Sequence, residues 1–348
     1  MEPDCRKICG FGAAGHRWLG EGDTGMGIVA DYTKRLEQET EKIIVGKRRQ
    51  IDMILMAVFS GGHVLLNDLP GSGKTTLVKT LSLALGCSFK RLQFTPDLLP
   101  SDIVGMTVFN QKRGEFELVK GPVHTNILLA DEINRAIPRT QSALLEAMEE
   151  GQTTIDGTTL PLPQPFVVLA TQNPVEREST FMLPAAQMDR FFICLSMGYP
   201  SAQEEVEILE HLGAGIPYEE IRGVADPRQI LALREEAARV MVSEMCSRYI
   251  VELVQKTRTS PWLKQGASPR ASRSLYQGSK AYAAMQGRDY VIPEDIREIW
   301  LPVMSHRVII TAEARFQKKT AEMILEELLA ETEVLPSKKE LFNGRKAK

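Results

Sequence analysis

No apolar run in the sequence is long enough to cross a bilayer. The longest candidate, Ile51 to Leu66, is interrupted by Asp52, Ser60, Gly61, Gly62 and His63, and a spanning helix needs ~20 consecutive apolar residues. The first residues also lack the apolar core of a secretory signal. Cysteine is sparse: Cys5, Cys9, Cys87, Cys194 and Cys246 are an odd number, with no CxxC pair and no histidine cluster at zinc spacing. This excludes a disulfide framework and a zinc module, and it points to buried thiols in a reducing, cytoplasmic compartment. Charge of one sign is missing too. With 42 Lys and Arg against 45 Asp and Glu, the net charge of -3 exerts no global pull toward nucleic acid or anionic lipid. No internal repeat is visible, which argues against a solenoid.

What is present is ordinary globular composition, 43% hydrophobic and 25% charged over 348 residues, with length enough for two domains. Residues 1–27 are rich in glycine without helical or strand periodicity and read as an unstructured tail. From Ile28 apolar residues recur at helical spacing. Five apolar strand candidates then alternate with helical patterns: His63 to Asn67, Cys87 to Phe94, Asn126 to Asp131, Phe166 to Asn173 and Phe191 to Leu195. That alternation predicts a parallel α/β sheet. Two hairpin patterns interrupt it, one from Thr107 to Val119 and one from Thr153 to Leu160, the second turning on Asp156-Gly157. After Pro200 helical patterns take over. The expected division is a tail (1–27), an α/β core with two hairpin insertions (28–199), a smaller all-helical domain (200–335) and a polar, basic tail (336–348).

The strongest chemical signal is Asn67-Asp68-Leu69-Pro70-Gly71-Ser72-Gly73-Lys74-Thr75, between an apolar strand and a helical pattern. Glycines at 71 and 73 let backbone N–H groups and the following helix N-terminus face phosphate oxygens, while Lys74 supplies charge and the Thr75 hydroxyl a ligand for Mg2+. Asp68 stands where the motif's first glycine is expected, and aspartate tolerates left-handed backbone better than most residues. The expected nucleotide contacts are Asp68, Leu69, Pro70, Gly71, Ser72, Gly73, Lys74, Thr75 and Thr76. The second signal is Ile127-Leu128-Leu129-Ala130-Asp131-Glu132, an apolar strand ending in two acids. Asp131 would join Thr75 in the metal shell and Glu132 would activate water. Paired acids there favour hydrolysis over kinase chemistry.

Together with LQFTPDLLPSDIVG (92–105), GPVHTNILLADEINRA (121–136), TQSALLEAMEE (140–150), VLATQNPVE (168–176) and LPAAQMDRF (183–191), these segments resemble MoxR-type AAA+ ATPases over about residues 28 to 335. The resemblance implies an AAA+ P-loop parallel sheet sandwiched by helices, with a smaller all-helical lid. It implies ATP and Mg2+ as cofactors, Asn173 as sensor 1, Arg190 as an arginine finger serving a neighbouring subunit, and Arg270 as a lid sensor touching the nucleotide of its own chain. It further implies a homo-oligomer, a hexameric ring, acting as a chaperone or maturation factor on client proteins with a von Willebrand factor A domain, whose metal site it would help assemble. Phe109 and Phe116 on the first hairpin are candidates for partner contact. Two other readings stay open: a nucleic-acid remodelling motor, which would need a basic, aromatic-interleaved stripe, and a scaffold that binds ATP without turnover. No nucleic-acid partner and no membrane insertion are expected.

Overall fold

The computed structural model describes residues 27–67, 71–173, 180–213 and 218–334. Most of the expected N-terminal tail, the C-terminal tail, and Asp68, Leu69 and Pro70 of the phosphate loop lie outside the described residues. The chain opens with α1 (Gly27–Glu41) and α2 (Arg48–Phe59), followed by β1 (Val64–Asn67), α3 (Lys74–Ala84), β2 (Phe89–Gln93) and the short α4 (Pro100–Val104). A hairpin, β3 (Gly105–Asn110) and β4 (Glu115–Lys120), precedes β5 (Ile127–Asp131) and α5 (Pro138–Glu150). A second hairpin, β6 (Gln152–Ile155) and β7 (Thr158–Pro161), precedes β8 (Val167–Gln172), α6 (Ala185–Met188) and β9 (Ile193–Leu195).

Five of these strands, in the order β2-β5-β8-β1-β9, form one sheet whose pairs are all parallel. Its central strands read as continuous apolar runs because both faces are covered. Alternate residues go to opposite layers. Val64, Leu66, Ile127, Leu129, Val167 and Leu169 face a core shared with α1 to α3 and the later helices. Leu65, Leu128, Ala130, Val168 and Ala170 face a smaller core with Leu144 and Leu145 of α5, as the two-residue strand period requires. Both hairpins form where expected, and at the tip of the second Asp156 and Gly157 take φ of 47° and 83°, the left-handed pair that a two-residue turn demands.

Beyond Pro200 the chain is helical: α7 (Ala202–Gly213), α8 (Pro227–Arg239) and α9 (Glu244–Thr259) lead through β10 (Leu263–Gln265) to α10 (Pro269–Met285) and α11 (Pro293–Met304). After β11 (Ile309–Ile310) come α12 (Ala312–Phe316) and α13 (Ala321–Ala330). The lid thus carries one short antiparallel pair, β10 with β11, which the sequence pattern does not reveal. Between Thr311 and Ala330 the chain forms two helices: Lys318 takes φ 58° between them, and Thr311 and Thr320 each cap a start by accepting a backbone N–H. Helices α1 and α2 contact α10 and α8 as well as each other. Gly278 of α10 permits the closest approach, since a Cβ there would meet Ile299 at 2.9 Å and Met56 at 3.2 Å.

Trp300 of α11 is fully buried, and its indole N–H donates to the Leu325 carbonyl of α13 at 2.9 Å. Trp300→Ala removes a large core side chain and its hydrogen bond to that carbonyl, so it is expected to cost about 3–5 kcal/mol of unfolding free energy. Chemical denaturation checks this.

Candidate functional site

In a parallel sheet the C-terminal strand ends all lie on one edge, and here that edge collects the polar residues. Register places Asn67 of β1 opposite Gln172 of β8, and Gln93 of β2 opposite Asp131 of β5. Beside them the phosphate loop turns into α3, with Gly71 at φ 85° and Gly73 at φ 78°. Among the described residues no atom stands within 4 Å of where a Cβ would be at either glycine. Both glycines stand at the start of α3, and a helix N-terminus is the arrangement that receives phosphate. A cleft of about 410 Å³ results, lined by Gly71, Ser72, Gly73, Lys74, Thr75, Thr76, Asp131, Glu132 and Asn173, the described part of the expected nucleotide and acid set.

Arg91, Gln93, Thr171 and Gln172 complete the wall, and three of these hold the acids in place. Thr171 bridges the pair: its Oγ1 donates to Asp131 Oδ1 at 2.6 Å and accepts from the Glu132 N–H at 2.8 Å. That second bond secures a strained residue, because Glu132 takes φ 56°. Arg91 donates to Asp131 Oδ2 through Nη2 at 2.6 Å and Nε at 3.2 Å. Gln93 Nε2 donates to Glu132 Oε2 at 2.7 Å, and Arg135 Nε lies 3.1 Å from the same oxygen. Buried Asn134 clasps Asn173, donating to its carbonyl at 3.2 Å and accepting its N–H at 3.4 Å. Thr171, Arg91, Gln93 and Asn134 escape sequence reasoning. The one signal that could have found two of them is the period of two on β2, which puts residues 91 and 93 on the same side.

The donors fit a hard cation in part. Thr75 and Asp131 offer oxygen ligands of the kind Mg2+ takes. Among the described residues no group of three or more His, Cys, Asp or Glu forms a metal site on its own.

Arg190 and Arg270 do not line this cleft. They lie on a second one, of about 290 Å³, with His63, Glu149, Asp189, Arg273 and Arg307. Glu149 holds both: Oε1 is 2.6 Å from Arg270 Nη2, and Oε2 is 3.1 Å from Arg190 Nη2. His63 precedes β1 and Phe192 precedes β9, so this cleft sits at the N-terminal strand ends, about 13 Å or more from the phosphate loop at ~3.3 Å per residue of β1. The expectation that Arg270 touches its own chain's nucleotide is therefore corrected. The start of α10 is fastened to the wrong end of the sheet, through Ser268 Oγ donating to Asp189 Oδ2 at 2.8 Å. Two buried histidines flank these arginines, and burial pushes His63 down to about 4 and His306 down to about 3. Both stay neutral near neutral pH, so the positive charge here is arginine's alone.

The family models agree with this geometry: residues 63–193 match the ATPase family associated with various cellular activities, and residues 255–328 match the AAA lid domain. The chain is 40% identical over 324 residues to Chaperone MoxR1 of Mycobacterium tuberculosis, covering 90% of this chain and 85% of that one. The chain belongs to the MoxR family of AAA+ ATPases. It is also 47% identical over 297 residues to YeaC of Bacillus subtilis, covering 85% and 93% of the two chains, and 30% identical over 343 residues to Protein MoxR of Methylorubrum extorquens, covering 92% and 99%. A crystal structure from Cytophaga hutchinsonii superposes with a TM-score of 0.85 at 39% identity, over 89% of this chain and 97% of that one. As a MoxR-type ATPase of the chaperone kind, the chain binds nucleotide and hydrolyses ATP. Among the described residues no helix is long and apolar enough to cross a membrane.

Thr171→Val keeps the volume and removes both hydrogen bonds to the acids. The expected result is a loss of turnover of about tenfold, with a stability loss of about 1–3 kcal/mol from the orphaned groups. Steady-state phosphate release and denaturation of the same sample check the two together.

Proposed function

We propose that this MoxR-type ATPase works as a ring motor in which each active site is shared between two subunits. The observation that carries the reading is the separation within one chain: the phosphate loop and acids occupy one end of the sheet, Arg190 and Arg270 the other. Two arginines that cannot reach their own nucleotide can serve a neighbour's, once subunits stack one end of the sheet against the other. The cis half then comprises Gly71 to Thr76, Asp131, Glu132 and Asn173. Lys74 neutralises phosphate charge, and Asn173, fixed by Asn134, orients the attacking water. Glu132 accepts a proton from that water with the carboxylate oxygen that Gln93 and Arg135 leave accessible. Mg2+, held by Thr75 and Asp131 with the nucleotide, would supply charge neutralisation on the phosphates. The neighbour's Arg190 and Arg270 exchange Glu149 for the charge that develops on the transferring phosphoryl group.

The finer reading follows from the resemblance: a cytoplasmic hexameric ring that remodels client proteins with a von Willebrand factor A domain and assists assembly of their metal site, with a core over 28–199 and a lid over 200–335. Similarity to Chaperone MoxR1 supports the chaperone part of this reading. Affinity capture with Glu132→Gln in ATP is expected to enrich a chain carrying that domain. Stimulation of the ATPase by DNA, with no such client captured, would favour a nucleic-acid motor instead.

Lys74→Ala is expected to abolish ATP binding, whereas Glu132→Gln keeps binding and loses turnover, because one removes phosphate charge and the other only the base. Nucleotide titration beside phosphate release separates the two. Arg190→Ala is expected to bind ATP and hydrolyse almost none. Mixed assemblies of Lys74→Ala with Arg190→Ala should recover activity at interfaces where an intact arginine meets an intact phosphate loop; verified mixed rings without recovery would refute the shared site.

A further inference from the structure

Asp189 immediately precedes Arg190, yet its carboxylate serves elements about 80 and 120 residues away. Oδ2 accepts the 2.8 Å hydrogen bond from Ser268 Oγ, and Oδ1 lies 3.3 Å from Arg307 Nε. Ser268 is the cap of α10, and the same Oγ accepts the Arg270 N–H at 3.1 Å. One short chain of contacts therefore joins the backbone that presents Arg190 to the backbone that presents Arg270. The other side of Arg190 is pinned as well. Arg307 Nη2 donates to the Phe191 carbonyl at 2.7 Å, and His306 Nε2 lies 3.1 Å from that carbonyl.

As a stabilising device this arrangement is poor. Arg307 is 5% exposed, its Nε and Nη1 have no hydrogen-bond partner, and Asp189 Oδ1 has none either. A buried ion pair with unsatisfied atoms recovers little of its desolvation cost, and an apolar pair of similar volume would stabilise the fold as well or better. What the pair does secure is geometry at the junction of core and lid.

We infer that Asp189 and Arg307 are positioning residues that hold Arg190 of the core and Arg270 of the lid as one two-pronged unit for the neighbouring subunit's nucleotide. This rests on the shared-site reading of Arg190. With the pair intact, movement of the lid carries both arginines together. With it broken, the turn at Arg190 and the start of α10 move separately, and displacements of about 1 Å at a reacting phosphoryl group cost on the order of a hundredfold in rate.

The test is Asp189→Asn, which keeps the shape and removes the charge facing Arg307. ATP titration should give wild-type affinity and an unchanged KM, while kcat falls about ten- to a hundredfold. Ser268→Ala, a milder change that leaves both charges, should lower kcat in the same direction without changing ATP affinity. The deciding readout is a mixed assembly. Asp189→Asn with Lys74→Ala should recover activity, because the Lys74→Ala subunit supplies an intact pair of arginines to the sound phosphate site of its neighbour. A fold defect in Asp189→Asn would not be rescued in this way. Wild-type kcat in Asp189→Asn overturns the inference. So does failure of this mixture to recover where Lys74→Ala with Arg190→Ala does recover. If neither mixture recovers, the shared site itself is wrong and the inference falls with it.

Discussion

The five strands of the central sheet all run in one direction, and the chemistry of the molecule depends on that polarity. Parallel strands place every C-terminus on one edge, where carboxylates, amides and the phosphate loop converge, and every N-terminus on the other. The two edges therefore acquire different chemistry. Here one gathers Asp131, Glu132 and Asn173 beside Gly71 and Gly73, and the other gathers Arg190, Arg270, Arg273 and Arg307. The buried apolar stretches of β5 and β8 lie between these sets within a subunit. In the shared-site reading proposed above, repetition of the subunit brings them together.

Within the first edge, each acid is held by two donors from separate parts of the chain. Thr171 and Arg91 hold Asp131; Gln93 and Arg135 hold Glu132, whose left-handed backbone is fixed by Thr171. Strain at Glu132 is sustained by neighbours that are themselves locked by sheet register, so the site is organised before any nucleotide arrives. Such preorganisation is what allows electrostatic stabilisation without a reorganisation cost at the moment of reaction.

Much of this was legible in the sequence where the signal is local. Val64–Asn67, Ile127–Asp131 and Val167–Gln172 stand out because strands covered on both faces are apolar without interruption. Gly71-Ser72-Gly73-Lys74-Thr75 and Asp156-Gly157 declare their backbone shapes through residue type. Thr171, Arg91, Gln93 and Asn134 were not legible, since each meets its partner across some 40 residues of chain or across the strand register. The position of Arg270 failed for a related reason. Its motif announces an arginine at a helix start, but which end of the sheet receives that helix is decided by Ser268 meeting Asp189. The turn at Lys318, which splits α12 from α13, carries no glycine or proline to mark it.

Glu149 gives the second edge one more property. Because its carboxylate already satisfies both Arg190 and Arg270, an isolated subunit does not present a bare cationic trough to the polyphosphates and nucleic acids around it. The internal acid acts as a resident counter-ion. A stray anion gains only the difference between itself and Glu149, whereas in the shared-site reading proposed above a multiply charged phosphate, delivered at fixed geometry by an adjoining subunit, would outcompete a single carboxylate. In that reading, selectivity among anions arises from exchange with Glu149 at these two arginines, and not from a bare positive charge on them.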